Sequence, residues 1–188
     1  MPAKGKPQGQ SREARSSATG GDGGVAVRFP DNQPPIVGYA DSWTLIRRER
    51  AFEVLFIDAA ASQVLARVVI PRDPLVEHLW TPAANFYGEA ANWLKERNID
   101  PVPAAQPPHT LQGTIPIACN VFRFARVGEE AVFEGFYVSP GDVHRAKQEH
   151  RTDAVDARPM CHVQASLALV VGLLIEVQRI AKELTSAV

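Results

Sequence analysis

The chain has 188 residues, 45% of them hydrophobic, and its 20 Lys and Arg stand against 21 Asp and Glu for a formal net charge of -1. The length suits one domain or two small ones and is enough to bury a core, while the near-neutral balance gives no global attraction to nucleic acid or to an anionic membrane. Two cysteines, Cys119 and Cys161, cannot make a disulfide framework; they fit a reducing compartment and leave at most one bridge open.

Residues 1–24 are Gly, Ser, Pro and charge with almost no large apolar side chain, a composition that predicts a disordered tail. Lys4, Lys6, Arg12 and Arg15 make it mildly basic, read as solubility rather than as a tether to an acidic partner or RNA. It holds no continuous apolar segment, so no secretory signal is expected. "VAVRF" at 25–29 alternates and predicts a short strand. Tyr39 with Ser42–Ile46, then Phe52–Ile57, read as a β-hairpin across "RRERA", and "QVLARVVI" at 63–70 as a third strand buried on both faces. Asp73-Pro74 and Thr81-Pro82 are helix-start pairs. They predict a short helix near 74–80 and a longer one near 82–97 with Phe86, Ala90, Trp93 and Leu94 as its buried stripe. The proline-rich segment 99–114 then reads as an extended linker between a first unit, 25–98, and a second, 115–188.

In the second unit "NVFRFARV" alternates, "GEE" turns, and "AVFEGFYV" returns. Residues 139–159 read as a long polar loop. A strand beginning "MCHVQ" and a C-terminal helix follow, with Leu167, Val170, Leu174, Val177, Ala181 and Leu184 on one face. The apolar run "LALVVGLLI" is too short for a bilayer, which takes about 20 residues. "FEVLFI" at 52–57 and "FEGFYV" at 133–138 are near copies. "YADSW" at 39–43 matches "IACNV" at 117–121, and "VLARVVIP" at 64–71 matches "MCHVQASL" at 160–167. The expected fold is therefore α+β: two repeated β-hairpin–strand–helix units, each an antiparallel sheet of three strands packed against a helix.

"ACN" at 118–120, "AVFEGFYVSPG" at 131–141 and the C-terminal helix resemble, in that order, a family of small bacterial proteins of unknown function. Its pattern is Tyr-Ser-Asn, a hairpin, a Pro-Gly turn, then an Arg-Val-Val-Leu-Ser/Thr-Pro strand end before an amphipathic helix. "YADS" at 39–42 and "ARVVIP" at 66–71 carry the complementary part in the first half. The second half departs from the pattern: it lacks the strand-ending Ser/Thr-Pro, and its loop after Pro140-Gly141 is longer. The resemblance implies a fold and no established activity. The hairpin–strand–helix order is also similar, at fold level, to the SecB-type export chaperones.

The chemistry is sparse. Asp142, His144, Glu149, His150, Asp153 and Asp156 crowd the 139–159 loop, ahead of Cys161 and His162. Of these, His144, His150 and Asp142 are the metal candidates, but the spacing matches no zinc pattern and the loop reads as solvated. Cys161 and His162 are neighbours on a strand and point to opposite faces; Cys119 reads as core. Glu53 and Glu134 fall at matching places in the two "FE" phrases, where a facing pair would offer acid–base chemistry and a wet strand face is the plainer reading. "PGD" and "GGDGG" lack the Lys-Ser/Thr of a phosphate loop. Trp43, Trp80 and Trp93 read as core or interface anchors, and only "VFRFAR" at 121–126 interleaves basic and aromatic residues as RNA stacking requires.

No catalytic residue or cofactor is assigned. The expectation is a cytoplasmic, non-enzymatic protein-interaction or assembly subunit, chaperone-like or adaptor-like, without a membrane span or a nucleic-acid partner. The alternatives are an enzyme or metal-dependent protein using loop 142–162, and a nucleic-acid-binding module. A second apolar stripe on the C-terminal helix, Leu169, Leu173 and Ile180 around Gly172, predicts self-association or partner docking there.

Overall fold

The computed structural model describes residues 25–72, 79–108, 114–150 and 153–186. The expected tail at 1–24 and most of the expected helix at 74–80 lie outside them. The described order is β1 (Val27–Arg28), β2 (Ile36–Ala40), β3 (Ser42–Arg47), β4 (Ala51–Asp58), β5 (Gln63–Pro71), α1 (Thr81–Glu96), β6 (Pro116–Ala118), β7 (Val121–Val127), β8 (Glu130–Tyr137), α2 (Pro140–Gln148), β9 (Val155–Asp156), β10 (Arg158–Ser166) and α3 (Leu167–Ser186). The fold is α+β, as the sequence predicts.

The sheets are larger than three strands. One is four-stranded in the order β3-β4-β5-β6 and the other in the order β2-β10-β8-β7, with β1 and β9 as a separate pair. Three strands of each sheet run antiparallel and come from one half of the chain; the fourth is parallel and comes from the other half. β2 lies along β10, Tyr39 opposite Gln164, and β6 lies along β5, Ile117 opposite Val68. The cause is local. Only Asp41 separates β2 from β3, and only Cys119 and Asn120 separate β6 from β7. One residue is too few to reverse direction, since even the tightest hairpin needs a two-residue loop with a primed turn; at the second crossing neither residue is free to turn, because the Cys119 N–H donates to the Val69 carbonyl of β5 and the Asn120 N–H to the Phe136 carbonyl of β8. Each first strand therefore carries on into the opposite sheet.

At both crossings one polar side chain holds the bend. The Asp41 N–H donates to the Ile57 carbonyl at 3.1 Å, and its Oδ1 accepts the Ala59 N–H at 2.7 Å, 18 positions on. The Asn120 N–H donates to the Phe136 carbonyl at 2.9 Å, and its Oδ1 accepts the Val138 N–H at 2.8 Å, also 18 positions on. Asn120 Nδ2 returns a bond to the Val138 carbonyl at 2.7 Å.

The two inner faces meet at Phe56 and Phe133, whose rings are 5.0 Å apart. α3 covers β3, β8 and β10, while α1 covers β7 and lies on α3. β5 is buried on one face only: Ala66, Val68 and Ile70 are interior and their neighbours half-covered, which corrects the reading of a strand buried on both sides. On α1, Ala83, Ala90 and Leu94 are interior, and Phe86 and Trp93 pack at the rim. Trp80, itself helical, precedes α1 and offers no side-chain cap, so Thr81 is inside the helix rather than at its cap.

The expected loop at 139–159 holds α2 and β9. Ser139 caps α2, its Oγ accepting the Asp142 N–H at 3.4 Å, with Pro140 in the first turn. α2 and the β1–β9 pair cover a second, smaller core of Phe136, Val138 and Ala157. The linker is no free spacer either. The Val102 N–H donates to the Ala168 carbonyl at 3.0 Å and the Ala105 N–H to the Trp43 carbonyl at 2.7 Å. Trp43 Nε1 donates to the Val102 carbonyl at 3.0 Å. Residues 102–105 thus form a strap bound to β3 and to the first turn of α3.

Candidate functional site

The two exchanged strands end their sheets, and three of the six large apolar side chains exposed among the described residues lie on or beside them. Ile36 is 64% exposed and Tyr39 46%, both on β2, and Ile115, just before β6, is 81% exposed. Ile36 lies opposite His162 and Tyr39 opposite Gln164, so both stand on the outer face of their sheet. Gly38, between them, turns inward, where a Cβ would touch the Leu65 methyls at 3.4 Å. Partial burial raises the Tyr39 hydroxyl pKa, and the Glu130 and Asp41 carboxylates add to it. Prolines guard both edges: Pro34 and Pro35 precede β2, and Pro116 opens β6 without an N–H to offer.

Two carboxylates are buried on outer sheet faces. Glu53 is held by Arg67, at 3.0 Å from each of two nitrogens, and by Arg48 Nε at 3.0 Å. The Arg67 hydrogen bonds lower its pKa most; burial opposes them and Arg48 adds to them. Glu134 takes Arg123 Nε at 2.5 Å, and His162 Nδ1 lies 3.4 Å from its Oε1. The His162 ring is 4% exposed, and neither ring nitrogen makes a hydrogen bond among the described residues. Arg123 also lies 5.4 Å from the Phe29 ring and 5.3 Å from that of Phe136. Glu53 and Glu134 do not face each other: each is tied to arginines of its own sheet.

Nor do the two glutamates hold equivalent places. Asp41 pairs with Ile57 and Asn120 with Phe136; counting back along β4 and β8 sets Leu55, not Glu53, where Glu134 stands. Leu55 faces Arg67, as Glu134 faces His162. The shared phrase "FE" is two residues out of structural register.

Cys161 and His162 point to opposite faces. The Cys161 sulfur turns inward and meets Cys119; both are free thiols and both are 0% exposed. The metal candidates do not converge: Asp142 and His144 lie exposed on α2, and His150 adopts a φ of 48 just past its end. Among the described residues no three His, Cys, Asp or Glu side chains are placed to hold a metal ion.

The expected docking stripe is interior. Leu169, Leu173 and Ile180 are 0%, 1% and 1% exposed, covered within the chain by the sheets, α1 and the strap. Gly172 does mark a close backbone approach, but the neighbour is the strap: a Cβ there would lie 2.0 Å from the Val102 carbonyl oxygen. What α3 leaves open is Ile175, 42% exposed. It lines a shallow groove of about 320 Å³ against α1 with Tyr87, Ala91, Val171 and Ile99. Sequence reasoning missed the edge residues Ile36, Tyr39 and Ile115; the available signal was an isoleucine beside prolines, one step before a strand with no room to turn.

No described helix is long and apolar enough to cross a membrane. No protein-family model, no curated protein and no solved structure matches this chain.

Proposed function

We propose that this chain is a non-enzymatic protein-interaction subunit, adaptor-like or chaperone-like, which takes an extended segment of a partner along the free edge of β2. One observation carries the reading: Ile36 and Tyr39 stand 64% and 46% exposed on a five-residue strand that is paired, among the described residues, only with β10. An unpaired strand edge supplies main-chain donors and acceptors, and side chains beside it supply selectivity, which is how added-strand recognition works. β6, at three residues and opened by a proline, offers a poorer edge.

The two halves read as copies of one unit that have exchanged their first strands. In support, Asp41 and Asn120 make the same bonds across the same span of 18 positions, and Ile36 and Ile115 each stand five residues ahead of that polar residue.

The test is fluorescence anisotropy with labelled extended peptides of alternating apolar sequence. Covering an exposed Ile or Tyr contributes about 1.5 kcal/mol, roughly tenfold in affinity for each residue. Ile36→Lys with Tyr39→Lys is expected to weaken binding by more than tenfold without lowering the melting temperature. Peptides N-methylated at alternate amides should lose binding in one register and keep it in the other. Binding that survives the double substitution, or is indifferent to N-methylation, refutes the reading.

A further inference from the structure

We propose that Cys119 and Cys161 are a redox pair which a small peroxide closes into a disulfide, tying the crossing between the two sheets to the inner strand β10.

The placement comes first. Cys119 is where the chain leaves one sheet for the other: its own N–H donates to the Val69 carbonyl at 3.0 Å, extending the β5–β6 ladder, and the next N–H, of Asn120, donates to Phe136 of β8. Cys161 is on β10, opposite Gly135 of β8. Two cysteines 42 positions apart in sequence thus converge over one glycine.

Gly135 makes the room. A Cβ at that position would lie 2.6 Å from the Cys119 sulfur and 2.9 Å from the Cys161 sulfur, closer than real Cβ atoms come. The sulfurs converge on the space a side chain would fill. Any other residue on this central strand would drive them apart.

The two sulfurs have distinct roles. The neighbouring Cys119 lowers the Cys161 pKa most; burial opposes it, the Gly135 backbone amide adds to the lowering, and the Glu134 charge opposes. Cys119 is pushed up by its contact with Cys161 and by burial. In the proposed reaction Cys161, the thiol whose pKa is lowered, is the nucleophile and Cys119 resolves it. The Cys161 thiolate attacks one peroxide oxygen, the O–O bond breaks, and hydroxide leaves, taking up the proton released from the thiol to become water. The Cys161 sulfenic acid is then attacked by the Cys119 sulfur; the S–S bond forms, the S–O bond breaks, and the departing hydroxide takes the Cys119 proton as a second water. Two thiols and one hydrogen peroxide give one disulfide and two waters. Entry is by fraying of β6, a three-residue edge strand with Pro116 and Ala118 exposed, the kind of element that opens well below the global unfolding free energy.

The experiment uses the full chain. The native protein is exposed to hydrogen peroxide, unfolded in the presence of an alkylating agent, and weighed. The expected product has lost two hydrogen atoms, takes up no alkyl group and yields a linked peptide joining Cys119 to Cys161. Dithiothreitol reverses all three, and the oxidised form melts several degrees higher. In Cys119→Ser, Cys161 should be trapped by dimedone as the sulfenic acid; in Cys161→Ser, Cys119 should oxidise at least tenfold more slowly. Two alkylated cysteines after treatment, oxygen addition without a link, or a link between molecules overturns the proposal. If a serine variant does not fold by circular dichroism, the wild-type mass and peptide map decide.

Discussion

Gly172→Ala sets two effects of opposite sign against each other. Within a helix, alanine is favoured over glycine by about 1 kcal/mol, and on that ground alone the variant would be more stable. The new Cβ, however, would lie 2.0 Å from the Val102 carbonyl oxygen and 3.0 Å from its carbon. These are backbone atoms with no rotamer to change, so the strap must withdraw by more than about 1 Å to regain ordinary contact. That withdrawal strains two hydrogen bonds on Val102, its N–H to the Ala168 carbonyl at 3.0 Å and its carbonyl to Trp43 Nε1 at 3.0 Å. Each buried group left unpaired costs about 1–3 kcal/mol. The net expectation is a loss of about 1–3 kcal/mol, which for a chain of this size lowers the melting temperature by about 2–12 °C. Urea unfolding read by tryptophan fluorescence suits the purpose, because Trp43 is 2% exposed and bonded to the strap. Gly88→Ala is the control: it lies in α1 with nothing within 4 Å of its added Cβ, and should gain about 0.5–1 kcal/mol. A Gly172→Ala protein as stable as the parent, or more so, refutes the strap contact.

Leu173→Asp, which places a charge at a position 1% exposed, should unfold the chain, and Leu173→Ala should cost about 2–5 kcal/mol; light scattering that shows a folded species of altered mass would mean that the face serves an interface after all. Glu53→Gln should cost about 2 kcal/mol at neutral pH. The Glu53 pKa is lowered from 4.5 in the folded chain, chiefly by Arg67, so this stabilisation is complete above the unfolded value and disappears as pH falls through the folded one. Urea midpoints of parent and variant should therefore converge in acid, and a gap that persists there contradicts the ion-pair account. His144→Ala should change stability by less than about 0.5 kcal/mol, and His150→Gly, at a φ of 48, should not destabilise; release of a stoichiometric metal from either would restore the metal reading of this segment.

The hairpins were legible because alternation and turn residues are local. β7 and β8 meet at Gly128, whose φ of 66 is the conformation the turn needs and the sequence announces. The exchange of β2 and β6 was not legible from periodicity, since pairing partners lie at the far end of the chain; the single-residue gap at Asp41 was the available clue. Register was lost for a related reason. Matching "VLARVVIP" to "MCHVQASL" by letter sets Ala66 against His162, but in the sheets Ala66 faces Phe56 and it is Cys161 that faces Gly135 at the corresponding place. A slip of one residue exchanges the inner and outer faces of a strand, and with them the distinction between a core thiol and an outer-face imidazole. α2 was hidden by its charge: only Ala146 is buried, so it lacks an apolar stripe even though Ser139-Pro140 marks its start. The edge surface at Ile36 and Tyr39 left only the prolines beside Ile36 as a signal, because exposure of an isoleucine depends on which strand ends the sheet.

The strand exchange also sets a timetable. Among the described residues β2 pairs only with β10, Ala40 opposite Ala165, and at about 5–20 residues per second of synthesis those two segments emerge roughly ten seconds apart. For that interval the first half carries a strand it cannot place, and its own sheet lacks the β6 edge. Neither half can finish alone. A gene divided within the linker should yield two fragments that stay unfolded apart and assemble only when made together, so that what reads in sequence as two modules folds as one.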